Sequence, residues 1–208
     1  MTPLIIAVDG PAAAGKGTLA RRLAGHFRLP HLDTGLLYRA VARLLLDAGA
    51  NPGDAAAAES SALALRVDDL ARSDLRTADA AAASSQVAAH PGVRTALLVF
   101  QRDFARDGGV LDGRDIGTVI FPDATAKLFV TASPDARALR RWLEAGGEAD
   151  LAAVAEDMRI RDLRDAARAE APMRPAPDAL LLDTTRLDAD AAFTEALRLL
   201  ATKLRLPG

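Results

Sequence analysis

Residues Asp9 to Thr18 read DGPAAAGKGT and follow the apolar run of Pro3–Asp9, a buried strand that ends in Asp-Gly-Pro. The stretch fits the phosphate-loop pattern G-x-x-x-x-G-K-[ST], with one displacement. Gly10, Gly15 and Lys16 stand where the pattern requires, but Gly17 follows the lysine and the hydroxyl arrives one residue late, at Thr18. The next segment, Gly15–Arg28, reads as a helix with Leu19, Leu23 and Phe27 on one stripe. Strand, glycine-rich turn and helix form the context the motif needs. Successive backbone N–H groups converge on a phosphate, the helix N-terminus adds partial positive charge, and Lys16 reaches the β- and γ-phosphates.

Beyond this stretch, apolar runs alternate with helical ones. Strands are expected at Pro30–Asp33, Gly109–Asp112, Ala126–Ala132 and Ala179–Thr184. Helices are expected at Thr34–Ala48, ended by Gly49, over Asp150–Glu170, and at Asp190–Leu204. This alternation predicts an α/β fold with a parallel sheet covered on both faces. The Ala-, Asp- and Ser-rich stretch Asn51–Ser85 holds few strand formers, although Leu63, Leu65 and Val67 alternate like a short strand. The segment APMRPAP, Ala171–Pro177, breaks the helix before it.

Size and composition bound the rest. The 208 residues suffice for one good core. Half are hydrophobic and only 4% aromatic, so aliphatic packing fills that core. A net charge of −2 does not imply a nucleic-acid-binding face. The chain has no cysteine, which suits a reducing cytoplasm and excludes thiolate metal sites. Its N-terminal apolar run is too short for a signal or membrane segment. Lys16, Lys127 and Lys203 are the only lysines among 26 basic residues, so arginines are weak evidence and the retained Lys16 is stronger evidence.

Three further stretches can support phosphate chemistry. In VLDGRD, Val110–Asp115, either Asp112 or Asp115 can act as a magnesium-side carboxylate beside the loop; Asp112-Gly113 is also a good turn pair in its own right. In LDTGLLYR, Leu32–Arg39, Asp33 or Thr34 can cap a helix, or that helix N-terminus with Arg39 can hold an anion. Tyr38, the only tyrosine, suits either core packing or a sugar or base. In RDLRDAAR, Arg161–Arg168, Arg161, Arg164 and Arg168 share a helical face with Asp165. Such a stripe is either a solvated, salt-bridged face or a lid that brings guanidinium groups, with Arg140 and Arg141, onto a transferring phosphate. His26, His31 and His90 lack metal-ligand spacing, and no N-K-x-D guanine-reading motif is present.

DGPAAAGKGT, LDTGLLYR, SSQVAAHPGVR, LDGRDIGTVIFPDA and RDLRDAAR…AP stand in the order seen in bacterial cytidylate kinases, and the chain resembles that family from Ile5 to Thr184 and more weakly beyond. The G-K-G-T ending recurs across nucleoside monophosphate kinases; SQVAA with P-x-V-R, then DGRDxGTVxFPDA, is specific to the cytidylate branch. The resemblance implies a P-loop kinase: a five-stranded parallel sheet flanked by helices, with a nucleoside-monophosphate-binding region and a short lid. It implies a single domain over 1–208, with the acceptor-binding insert at about 50–108 and the lid at about 137–170.

The resemblance also implies ATP as phosphoryl donor, CMP and dCMP as acceptors, and Mg²⁺ held mainly through nucleotide phosphates and water rather than by protein ligands. Gly10, Pro11, Ala12, Ala13, Ala14, Gly15, Lys16, Gly17 and Thr18 would bind the ATP phosphates. Arg39, Arg114 and Arg168 would hold the acceptor's 5′-phosphate, with Thr34 at the same helix start. Ser85, Arg94 and Asp115 would read cytosine, whose amino group suits a carboxylate and whose ring acceptors suit donors. Asp165, Tyr38 and Arg161 would lie near the acceptor ribose. Lys16, Arg140, Arg161, Arg164 and Arg168 would stabilise the moving phosphoryl group. A cytoplasmic monomer with no nucleic-acid or membrane partner is expected.

The family usually carries a β-hairpin before SQVAA. Here LALRVDDLARSDLRT, Leu63–Thr77, stands in its place, so most of the hairpin is expected to be deleted, with two strands remaining. Two other readings fit the loop: a kinase for UMP, AMP or a sugar acid, and a module that holds ATP for regulation without turnover.

Overall fold

Strand β1 (Ile5–Asp9) buries Ile6, Ala7 and Val8 completely. A continuous apolar run is what a strand covered on both faces requires. The chain leaves β1 at Gly10, whose φ is +142°, and a Cβ there would lie 1.9 Å from the Val130 carbonyl oxygen. Only glycine fits this turn. The computed structural model describes residues 3–167 and 173–204. Helix α1 (Lys16–Phe27) starts after Gly15 in the left-handed region and ends at Arg28, whose N–H bonds back to Ala24 and Gly25. Of the expected stripe, Leu19 and Leu23 are buried in the core and Phe27 packs against it partly buried, while Ala20 and Ala24 join the buried face. Strand β2 (His31–Asp33) follows.

The chain divides into two units, residues 1–32 with 105–208, and residues 33–104. The second unit holds α2 (Thr34–Asp47), α3 (Ala55–Leu63), α4 (Ala78–Val87) and α5 (Pro91–Phe104). Helix α2 packs on α4, and α3 on α5. The alternation of Leu63, Leu65 and Val67 does not make a strand, and the two strands expected in 63–77 do not form. Leu63 ends α3, and Val67–Ala71 and Ser73–Arg76 are 3₁₀ turns. The Asp69 carboxylate accepts from the Arg66 N–H at 2.8 Å, closing a turn locally. Leu63 and Val67 stay largely exposed, so no buried face rewards a strand. Arginines tie the segment down instead: Arg72 pairs with Asp47 and Asp74 at 2.7 Å each, and Arg43 with Asp79 at 3.0 Å.

The first unit resumes with β3 (Gly109–Gly113), a single π-turn at Ile116–Ile120, β4 (Ala126–Thr131), α6 (Pro134–Glu144), α7 (Leu151–Ala166), β5 (Leu180–Asp183) and α8 (Ala189–Leu204). The five strands lie in the order β2-β3-β1-β4-β5, and β1 pairs in parallel with both β3 and β4, as does β4 with β5. Leu128, Val130, Leu182 and Val110 join α1 and the Ala196–Leu200 face of α8 in one aliphatic core. The register Asp9↔Gly113 and Val8↔Asp112 brings the carboxyl ends of β1 and β3 together, where an open α/β sheet offers its binding crevice. No helix among the described residues is long and apolar enough to cross a membrane.

Candidate active site

The phosphate loop is built by strain and burial. Ala13 adopts a positive φ of 56°, uncommon for a residue with a Cβ, and Gly15 one of 88°. Lys16 is buried, and its ammonium donates to the Pro11 carbonyl at 2.7 Å, closing the loop on itself. Burial pushes the Lys16 pKa down to about 8, and the neighbouring Arg114 and Arg161 push the same way, against Asp112 and Asp9. The structure therefore sets Lys16 near Arg114 and Arg161, with the carboxylates of Asp9 and Asp112 beside them.

Asp9, just before the loop, accepts from the amides of Ile116 at 2.8 Å and Gly117 at 2.7 Å. These bonds fix the π-turn that follows Arg114 and Asp115. Burial raises its pKa to about 7 in spite of both amides. On the opposite side of the loop, the Thr184 hydroxyl donates to the Ala14 carbonyl and accepts from Arg140 Nη1, each at 3.0 Å. Arg140 Nη2 donates to the Thr184 carbonyl at 2.6 Å. Thr18, Arg140, Glu144 and Leu187 line a cavity of about 240 Å³ there.

Asp112 is the penultimate residue of β3, beside the loop. A Cβ on Gly17 would lie 3.8 Å from its Oδ2, and its Oδ1 is 2.7 Å from His31 Nε2. No cluster of three metal-ligating side chains occurs among the described residues. Asp115 is buried at the start of the π-turn. Asp165, fully buried on α7, pairs with the Arg114 guanidinium. Arg161 is half-buried on the same helix and Arg164 is exposed. Arg168 lies outside the described residues.

In the second unit, Thr34 is buried at the first turn of α2, and Asp33 at the N-cap makes no capping bond through its side chain. Arg39 donates to the Leu75 carbonyl at 3.2 Å. Ser85 is buried in the last turn of α4. Arg94 opens α5, donates to the Ala88 carbonyl at 3.4 Å, and sits 5.9 Å from the centre of the half-buried Tyr38 ring. Tyr38 is thus half-buried within its own unit, beside Arg94.

Several side chains that build the site were not singled out by the sequence reading: Asp9, His31, Arg137, Asp162 and Thr184. Asp9 was legible as the residue ahead of the first loop glycine. The other four contact partners 25 to 170 residues away, as in Arg137–Asp162 at 2.7 Å and Thr184–Ala14, and no local pattern encodes such pairs.

A parallel sheet of this order, with a glycine-rich loop between its central strand and a helix and a buried lysine in that loop, defines a P-loop phosphate-binding protein. Solved structures agree on the fold: an uncharacterized protein from Eubacterium ventriosum superposes with TM-score 0.54 at 16% identity, covering 94% of this chain and 96% of its own. TT1252 from Thermus thermophilus gives TM-score 0.52 at 20% identity, covering 98% and 99%. The cytidylate kinase family profile matches residues 6–202. The cytidylate kinase of Methylocella silvestris is 62% identical over 93% of this chain and 92% of its own length, and that of Granulibacter bethesdensis 61% identical over 96% and 98%. The chain belongs to the cytidylate kinase family.

Proposed function

We propose that this protein transfers the γ-phosphoryl group of ATP to the 5′-phosphate of CMP, and of dCMP, by direct in-line displacement. An acceptor phosphate oxygen forms the new bond to the γ-phosphorus as the bond to the β,γ-bridging oxygen breaks, and ADP leaves. The observation that carries the reading is the buried Lys16 in its glycine-rich loop at the carboxyl edge of the sheet, depressed first by burial and then by the half-buried Arg114 and Arg161. Such a grouping favours the charge of a phosphoryl group in transit without reorganisation.

The loop from Gly10 to Thr18 takes the donor phosphates, and the cavity beside Thr18 and Arg140 takes the rest of the donor nucleotide. Arg39 and Arg114, with Arg168, take the acceptor phosphate, and Thr34 stands at the same helix start. Ser85, Arg94 and Asp115 read cytosine; Asp165, Tyr38 and Arg161 flank the ribose. Gly17 puts no hydroxyl where the loop pattern has one, so a magnesium ion would be held mainly through the nucleotide phosphates and water, and Asp112, whose Oδ2 lies 3.8 Å from a Cβ built on Gly17, would be the carboxylate available to help hold it. When bound it neutralises phosphate charge. The protein is expected to act on free nucleotides in the cytoplasm as a monomer.

A coupled ADP-release assay offering CMP, dCMP, UMP and AMP tests the reading. CMP and dCMP should be the preferred acceptors, and Asp115→Ala should raise the KM for CMP at least tenfold while that for ATP stays within about twofold. Preference for AMP, or equal effects on both substrates, refutes the cytosine assignment.

A further inference from the structure

Arg137 is a buried arginine with no place in the mechanism above. It stands in the first turn of α6, and its guanidinium reaches three separate segments. Nε donates to the Ala132 carbonyl at the end of β4 at 3.1 Å. Nη1 donates to the Ala12 carbonyl inside the phosphate loop at 3.4 Å, and pairs with Asp162 Oδ2 on α7 at 2.7 Å. Asp162 adjoins Arg161 in sequence. Its second oxygen, Oδ1, is buried without a hydrogen-bond partner among the described residues, so Arg137 is what fixes this carboxylate.

We propose that Arg137 and Asp162 are positioning residues that brace α7 against the phosphate loop and so hold Arg161 beside Lys16. A rigid fork suits this role, because one planar guanidinium can bond a strand end, a loop carbonyl and a carboxylate at once, and a lysine cannot. The loop carbonyl that Arg137 grips belongs to Ala12, next to the strained Ala13, so filling the loop with phosphate and setting the angle of α7 act on the same side chain. Loss of the brace leaves the donor's binding groups in place and misaligns only the cation delivered from α7. A displacement of about 1 Å at a reacting centre costs up to roughly 100-fold.

The inference rests on the phosphoryl-transfer reading, and its test separates the two. Asp162→Asn keeps the shape and removes the charge; Arg137→Lys keeps the charge and removes the fork. With CMP as acceptor, kcat should fall roughly 10- to 100-fold in Asp162→Asn and by a similar factor in Arg137→Lys, while the ATP dissociation constant measured by calorimetry stays within about threefold. A kcat within twofold of the parent in both variants overturns the proposal. So does an ATP affinity that falls in step with kcat, which would make the pair a support of the loop alone. Amide exchange across Leu151–Ala166 with a non-hydrolysable ATP analogue bound supplies a readout free of the acceptor's identity. It should be faster in Asp162→Asn than in the parent, and equal rates overturn the brace. A parent that leaves CMP unphosphorylated while passing the exchange test instead refutes the functional reading and leaves the brace standing.

Discussion

Replacing Lys16 with methionine should abolish phosphoryl transfer and yet stabilise the free protein at neutral pH. Burial holds the Lys16 pKa at about 8, against 10.5 for the free side chain. By linkage, keeping the ammonium charged inside the fold at pH 7 costs about 3 kcal/mol. The sign follows from proton counts. Between pH 8 and 10.5 the unfolded chain binds more protons at Lys16 than the folded chain does, so folding of the parent becomes easier as pH rises. The full cost is present below pH 8 and has fallen to about 1 kcal/mol by pH 9.5. Methionine has similar length and no charge, but its replacement of lysine also gives up the 2.7 Å bond to the Pro11 carbonyl, a loss of about 1–2 kcal/mol. The net gain expected at pH 7 is thus about 1–2 kcal/mol, which for a chain of this size raises the melting temperature by several degrees. Thermal or urea unfolding of both proteins at pH 7 and pH 9.5 checks it. The variant's advantage should shrink by about 2 kcal/mol or more between the two, because the parent sheds its Lys16 cost as pH rises while Asp9, whose pKa Lys16 lowers, becomes costlier to ionise in the variant. An advantage that ignores pH, or a variant less stable than the parent at pH 7, would falsify the account of a lysine held in the loop at the expense of stability.

Two further outcomes bear on the same edge of the sheet. Gly10→Ala should destabilise the fold by about 3 kcal/mol or more in urea unfolding, since its methyl would lie 1.9 Å from the Val130 carbonyl and force β1 and β4 apart. Asp9→Asn should cost about 1–3 kcal/mol near pH 4, where the folded Asp9 is protonated, because one amide oxygen replaces a carboxyl group that accepts from two backbone N–H groups. In the parent, the folded Asp9 pKa of about 7 exceeds the free value of 3.8, so ionised Asp9 burdens the fold fully above pH 7 and not at all below 3.8. The variant's deficit should therefore be larger at pH 5 than at pH 7.5, and a deficit equal at both would remove the buried-carboxylate explanation.

The sheet-forming runs, the helix that follows the first of them, and the loop between were all legible from the residues alone. Each rests on local physics: a buried strand must be apolar throughout, α1 must repeat its leucines every turn, and the turn at Gly10 must lack a Cβ. Lys16 was legible for the same reason, whereas the roles expected of the motifs from LDTG to RDLRD come from their resemblance to the cytidylate kinase family, since the spacing of each also suits a turn, a cap or a salt-bridged face. Where local and tertiary forces compete, the sequence misled. Leu63, Leu65 and Val67 alternate as a strand does, but with Leu63 and Val67 largely exposed the segment settles into turns closed by Asp69 and pinned by Arg72. It took the folded chain to show that Asp9 holds the amides of Ile116 and Gly117, that Thr184 and Arg140 close on the Ala14 carbonyl, and that Arg137 joins the loop to Asp162. These contacts span tens to more than a hundred residues, and a buried charge is satisfied by whatever partner the fold delivers within about 3 Å, a distance that no spacing along the chain can express.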